Sequence, residues 1–261
     1  MKAYQPLREE ETDLDQLEPN DETIEQYGRQ ILVPGISEEG QKILSYRKVC
    51  IIGLGALGTI ASQYLVRAGI GNVYLIDPDI IEKSNLHRQI NYDLKDVGSF
   101  KTTVSKEKLK DINNISKISI FSETFENYTK KDKKSSFDLI FDCTDNHQNK
   151  IFSSQYSKRK LVPFVSISIN STEGIYFSQN YKKDSSSSCF ECLFPLRDQD
   201  HRCLNSAMIG PVAGMVTSLA CTKIIFALAS KLLKFENEIC LIDLLTTDIN
   251  KLQLLNKNCP H

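Results

Sequence analysis

The sequence predicts an α/β fold: a Rossmann-like mixed sheet with helices on both faces, parallel in its N-terminal half and antiparallel in its C-terminal half. Three observations predict it. From Lys48 the chain reads VCIIG, then LGALGTIASQYLVRAG, then NVYLID, an apolar run, a glycine loop, a helix and a second apolar run, which is a βαβ unit. Residues 49–52 and 73–76 are nearly continuous β-formers without alternation, as expected of parallel strands covered on both faces. After about Lys160 the pattern changes to short, partly alternating runs at 163–170 and 174–180, separated by Ser171-Thr-Glu, the mark of antiparallel strands.

The remaining elements follow in order. A short helix is expected over 22–31, helices over 99–112 and 146–158, and strands over 117–121, 137–141, 238–244 and 248–255. The apolar stretch 208–230 is long enough to span a membrane, but Pro211, Thr217, Thr222 and Lys223 favour a buried helix starting near Pro211. The serine run 185–188 reads as a surface loop. Residues 1–21 form an acidic, flexible extension, and 22–261 a single domain with a nucleotide-binding half (22–160) and a second half (161–261) carrying a CxxC.

Composition narrows the function. Lys plus Arg number 32 against 33 Asp plus Glu, a formal net charge of -1, so no field gathers nucleic acid or an anionic membrane. The acidic start lacks the basic-then-apolar pattern of a secretory signal, and a cytoplasmic location is expected. Eight cysteines in 261 residues are too few for a disulfide scaffold. Cys50, Cys143, Cys221 and Cys240 fall in strand or helix patterns and read as small core residues.

Gly53-Leu-Gly55-Ala-Leu-Gly58 lies between a strand and a helix, where glycines bring backbone N–H groups and a helix N-terminus close to a phosphate. Asp77, at the end of the next strand, is placed to accept ribose hydroxyls. A dehydrogenase would share both features. The polar run Ser84-Asn85-Leu86-His87-Arg88-Gln89, followed by Lys101, separates the two: hydride transfer has no use for it, whereas a triphosphate and a departing pyrophosphate call for such cations. Asp142-Cys143-Thr144-Asp145-Asn146 ends a strand at the ligand-binding sheet edge, where a hard carboxylate suits Mg²⁺. His87 is expected at the site rim, and Lys130, Lys131, Lys133 and Lys134 read as a solvated loop.

These residues resemble the ubiquitin-activating-enzyme-like adenylyltransferases of the HesA/MoeB/ThiF family, above all the bacterial enzymes that activate sulfur carriers for molybdopterin and thiamine synthesis. The likeness runs from about Ile24 to the C-terminus. Its order includes Tyr27 to Pro34, Gly53 to Gly58, Asp77-Pro-Asp79, Ser84 to Gln89, Val97 to Lys101, Asp142 to Asn146, Cys189 to Pro195 and Gly210 to Gly214. The resemblance implies that Gly53, Gly55, Ala56, Gly58 and Asp77 hold the adenosine of ATP, that Asn85 and Arg88 contact phosphates, that Lys101 stabilises the triphosphate, and that Asp145, beside Asn146, positions Mg²⁺. It also implies that Arg29 reaches into a neighbouring subunit's site, which makes a homodimer part of the mechanism. One departure is Ala56, where the family commonly has Gly.

The implied reaction joins AMP to the C-terminal carboxylate of a small β-grasp sulfur-carrier protein ending in Gly-Gly and releases pyrophosphate. Thiocarboxylate formation with a sulfur donor protein follows. The molybdopterin-synthase small subunit is favoured as carrier, the thiamine sulfur carrier next. The family pairs a CxxC such as Cys189 and Cys192 with a second one to hold structural Zn²⁺. Here the sequence reads Cys259-Pro260-His261 at its end, so the fourth position falls to His261, to water or to a further cysteine, or else the site is empty. Relatives also place a cysteine at the position of Cys203; in some it joins the activated carrier, in others it is dispensable, and His201 and Arg202 would favour its thiolate. Adenylation of a short peptide's C-terminus is the alternative enzymatic reading. A non-catalytic nucleotide-binding scaffold and an NAD-dependent oxidoreductase are the others.

Overall fold

The computed structural model describes residues 21–132, 135–183, 188–195, 207–231, 235–253 and 259. The acidic extension, Lys133, Lys134, most of the serine run, His201, Arg202, Cys203 and His261 lie outside the described residues.

Eight strands form one sheet: β1 (Lys48–Ile52), β2 (Asn72–Ile76), β3 (Lys117–Phe121), β4 (Leu139–Asp142), β5 (Phe164–Asn170), β6 (Glu173–Gln179), β7 (Glu238–Asp243) and β8 (Asp248–Gln253). Their order is β3-β2-β1-β4-β5-β6-β7-β8. Neighbours from β3 to β5 are parallel, and from β5 to β8 antiparallel, so the sheet changes direction at the hairpin expected between 170 and 174. β1 lies between β2 and β4, where the order of the chain reverses, and ligands of such sheets bind beyond the strand C-termini at that point.

Among the described residues there are eight α-helices: α1 (Asp21–Ile31), α2 (Ser37–Tyr46), α3 (Ala56–Arg67), α4 (Lys101–Lys110), α5 (Phe125–Lys131), α6 (His147–Lys160), α7 (Phe190–Leu193) and α8 (Gly210–Leu228). One face of the sheet packs against α3 and α8, burying Leu57, Leu65, Val165, Ile167, Val216 and Ile224. The other packs against α5, α6 and α7 through a mostly aromatic layer that includes Phe125, Tyr128, Phe164, Phe177 and Phe190. α8 is long and apolar enough to cross a membrane by length and composition alone. Here it is a core helix: a Cβ on Gly174 of β6 would lie 2.3 Å from Val216, so sheet and helix touch backbone to side chain.

Three helices escaped the sequence reading. α2 is polar and interrupted by Gly40, whose missing side chain admits Ala229 at 3.2 Å. α5 has seven residues and α7 four, too short to show a period. Several expected boundaries shift by one or two residues, and two of the starts have a visible partner. The strand expected from 137 begins at Leu139, because the Asp138 carboxylate is already committed to the Lys48 N–H at 2.8 Å. The helix expected from 99 begins at Lys101, because Phe100 bridges to Ile80.

At the edge opposite the ligand side, Arg47 donates to Leu228 O at 2.9 Å, to Ser230 O at 2.6 Å and to Asp138 Oδ1 at 3.1 Å. One half-buried guanidinium thereby ties α8 to the start of β1. Arg47→Ala should lower the unfolding free energy by about 2–3 kcal/mol, since charged donors leave two carbonyls and a carboxylate behind; a denaturant titration with unchanged slope would check it.

Candidate active site

Gly53 follows β1 at φ +86, in the left-handed region, and a Cβ there would lie 3.1 Å from Thr144. The β1–α3 turn therefore rests directly on the end of β4. Gly58 is tighter still, its absent Cβ falling 1.8 Å from Gly53 O. The turn closes on its own backbone, which only two glycines allow.

α3 has no side-chain cap at Gly55, so the N–H groups of its first turn are left facing the sheet edge, the arrangement that receives an anion. Around them stand the predicted residues. Asp77, 4% exposed, accepts from Leu54 N at 2.6 Å and Asp79 N at 2.8 Å, so its carboxylate braces the turn itself. Burial pushes the Asp77 carboxyl up from its ordinary value, and nearby Lys101 opposes that shift. Lys101, 6% exposed, opens α4 with its Nζ 2.8 Å from Asp79 Oδ2. The sequence reading assigned no role to Asp79, although Asp77-Pro-Asp79 carried the signal.

Asn85 is buried and shapes the next segment, its Oδ1 accepting from Glu82 N at 3.2 Å. Arg88 is half-exposed, donating to Ser84 O at 2.9 Å, with His87 exposed beside it and Gly210, at the N-terminus of α8, packed on their backbone. Gln89 was not singled out, yet it is 4% exposed, and its amide nitrogen is 3.8 Å from where a Cβ would stand on Gly55. Its Oε1 has no partner among the described residues. A buried acceptor beside an uncapped helix end can take a hydrogen bond from a donor of a bound ligand.

On the β4 side, Asp145 is exposed and next to Thr144, which touches the turn. Asn146 serves the fold, since its Oδ1 caps α6 by accepting from Asn149 N at 3.0 Å. Asp142 is fully buried and accepts from Thr144 N, Thr144 Oγ1 and, at 3.4 Å, Lys150 Nζ. Lys150, also buried and unforeseen, donates to Ser166 Oγ and Ile167 O, linking the end of β4 to the middle of β5. The segments next to Arg88 and Asp145 thus touch the turn through Gln89 and Thr144, and Lys101 approaches it through Asp77 and Asp79. Arg29 does not join them. It is exposed on α1, whose Gln30 is tied to Ala68 O at 2.9 Å, about 18 Å along α3 from Ala56 at 1.5 Å per residue.

On the opposite face of the sheet, Cys192 Sγ lies 3.7 Å from Cys189 Sγ and 3.4 Å from Cys259 Sγ, and all three sulfurs fall within 4.8 Å of one another. A tetrahedral zinc with sulfurs at about 2.3 Å separates them by about 3.8 Å, so this donor set fits Zn²⁺. Burial pushes the Cys189 thiol up to about 12, a shift that a coordinated cation would reverse by holding the thiolate. Cys50, Cys143, Cys221 and Cys240 are buried core residues, as expected.

Two glycine variants separate folding from binding. Gly58→Ala should cost more than about 4 kcal/mol, because backbone blocks the methyl group. Gly55→Ala should stay within about 1 kcal/mol of the parent, yet weaken ATP binding at least about tenfold by filling the ligand's space. Thermal melts and ATP titration calorimetry would read both.

The profile of the ThiF family matches residues 27–261. The adenylyltransferase and sulfurtransferase uba4 of Aspergillus niger is 34% identical over 218 residues, covering 79% of this chain and 45% of that protein. The adenylyltransferase and sulfurtransferase MOCS3 of Dictyostelium discoideum is 32% identical over 212 residues, covering 80% of this chain and 49% of that protein. The chain spans about half the length of these curated relatives. Among solved structures, E. coli MccB with succinimide aligns at TM-score 0.75 and 25% identity over 90% of this chain and 74% of that one. E. coli MccB with AMPCPP and MccA aligns at TM-score 0.71 and 25% identity, over 85% and 67%. PaaA, at TM-score 0.72 and 22% identity over 90% and 74%, shares the fold. With the glycine turn, the switch-point strands and a profile match from Tyr27 onward in agreement, the chain belongs to the ThiF family.

Proposed function

We propose that this protein uses ATP to adenylate the C-terminal glycine carboxylate of a small ubiquitin-like sulfur carrier, the molybdopterin-synthase small subunit ahead of the thiamine carrier. The observation that carries the reading is the uncapped N-terminus of α3, bordered by the buried Lys101 cation and the orphaned Gln89 oxygen. The names of the curated relatives support the activity, and the MccB complex with AMPCPP supports a nucleotide on this fold.

In the reaction, a carboxylate oxygen of the carrier attacks the α-phosphorus of ATP. A new O–P bond forms as the bond to the bridging oxygen breaks, and pyrophosphate departs with that electron pair. Both reactants are anions, so the protein's work is to hold them in line and screen their repulsion. First-turn N–H groups of α3 and the cations of Arg88 and Lys101 serve the phosphates. Mg²⁺, when held at Asp145, supplies further neutralisation on the phosphate oxygens. Asp79 holds the Lys101 ammonium in place at 2.8 Å, and that ammonium has further N–H donors to offer a phosphate. The reciprocal role of Arg29 fits its distance from its own turn and makes the working unit a homodimer. The acyl-adenylate is then available to a sulfur donor, whose sulfur attacks the acyl carbon as AMP departs. The likeness to MccB keeps a short peptide C-terminus as the second reading of the acceptor.

ATP–pyrophosphate exchange with each candidate carrier tests the reading: one carrier should support exchange, and exchange with none would overturn it. Lys101→Ala and Asp145→Ala should each lower exchange by about 10²-fold or more, and full exchange by Asp145→Ala would remove its metal role. For zinc, elemental analysis should find one ion per chain, and Cys192→Ser should lose both the ion and thermal stability while pyrophosphate exchange persists.

A further inference from the structure

α1 is held to the body of the protein by directional polar contacts. Gln30 Nε2 donates to Gln41 Oε1 at 2.6 Å and to Ala68 O at 2.9 Å, and Gln41 Nε2 donates to the same carbonyl at 3.0 Å. One turn earlier, the Tyr27 hydroxyl accepts from Asn113 Nδ2 at 2.7 Å, and that nitrogen also donates to Val66 O at 3.0 Å. These carbonyls lie at the end of α3, where the helix runs out of N–H donors; Val66 O also accepts from Gly69 N at 3.0 Å. Gly69, at φ +87, completes the seat: a Cβ there would lie 2.5 Å from Gln41 Nε2 and 3.0 Å from Tyr27 Cζ.

Tyr27, Gln41 and Asn113 are buried, whereas Arg29 is exposed, as are Leu32 and Val33 that follow it. Apolar packing alone would leave a short helix free to roll about its axis. Hydrogen bonds at both Tyr27 and Gln30 fix that rotation, and with it the direction in which Arg29 leaves the helix. We propose that Tyr27, Gln30, Gln41 and Asn113 are positioning residues, a polar clamp on the C-terminal end of α3 that aims Arg29 at the nucleotide of a second copy of this chain. The proposal rests on the reading of Arg29 as a reciprocal contributor.

Subunit mixing separates this role from a merely structural one. Lys101→Ala disables a protomer's own site and leaves its arm intact. Gln41→Ala leaves the protomer's own turn intact and unseats the arm, so alone it should lose about tenfold to a hundredfold in exchange, the scale of a misplaced catalytic group. Random mixing of the two should recover about one quarter of the wild-type signal, because half the dimers gain one complete site. Gln30→Ala mixed with Lys101→Ala should behave the same way, and serves if Gln41→Ala folds poorly. Arg29→Ala mixed with Lys101→Ala is the control. Recovery there but none with either clamp variant overturns the clamp, as does wild-type exchange by both clamp variants alone. Failure of the Arg29 control overturns the reciprocal-dimer reading beneath it.

Discussion

The β1–α3 turn closes so tightly that Gly53 and Gly58 touch backbone to backbone, and the rest of the site is arranged around that closure. It points the free end of α3 at the sheet edge. It sets Leu54 N–H where Asp77 can grip it, and it presses the turn against Thr144, so that β1, β2 and β4 meet within one short stretch of chain. Tyr92 adds a second brace, donating to Leu54 O at 3.0 Å from the α4 side. A turn held by a carboxylate below and a phenol beside it does not have to reorganise when an anion arrives, which is the condition for backbone dipoles to stabilise developing charge.

Much of this was legible in the sequence because it is local. A parallel strand, a glycine loop and a helix are neighbours along the chain, and the β-former runs and glycines of 49–76 declare them. The cations Arg88 and Lys101 announce themselves by charge, and the structure sets their segments beside the turn. What stayed hidden depends on which side of the turn a neutral or oppositely charged group falls. Gln89 and Asp79 look like unremarkable polar residues until the fold sets one over Gly55 and the other against Lys101. Lys150 is hidden for a different reason: the buried side of α6 carries Ser153, Ser154 and Ser157, so it shows no apolar stripe from which to infer burial. The cysteine cluster was anticipated, but only through the family resemblance: Cys259 lies 67 residues from Cys192, and spacing alone does not say that the fold brings them together.

Charges that the fold buries are compensated locally. Glu238, 1% exposed, sits between Lys223 and Lys251, and it is held below the ordinary carboxylate range by hydrogen bonds from both, whose combined pull outweighs the opposing effect of burial. Asp142 and Lys150 form a second such pair under α6. Removing one partner from either pair would strand a charge away from water, which is more damaging than replacing both by apolar groups. The Asp142–Lys150 pair fixes the end of β4, the strand that leads into Thr144 and Asp145.

α8 carries a consequence for how the molecule is made. The helix occupies 210–228, yet it covers the apolar face formed by α3 and β5 and is pinned by Arg47 at the start of β1. A growing chain that has emerged only as far as β5 therefore holds its nucleotide turn and its parallel strands with one greasy side still bare. Synthesis must deliver a further sixty or so residues before that side can be sealed, an interval in which the nascent polypeptide is exposed to chaperones and to mispairing with its own kind.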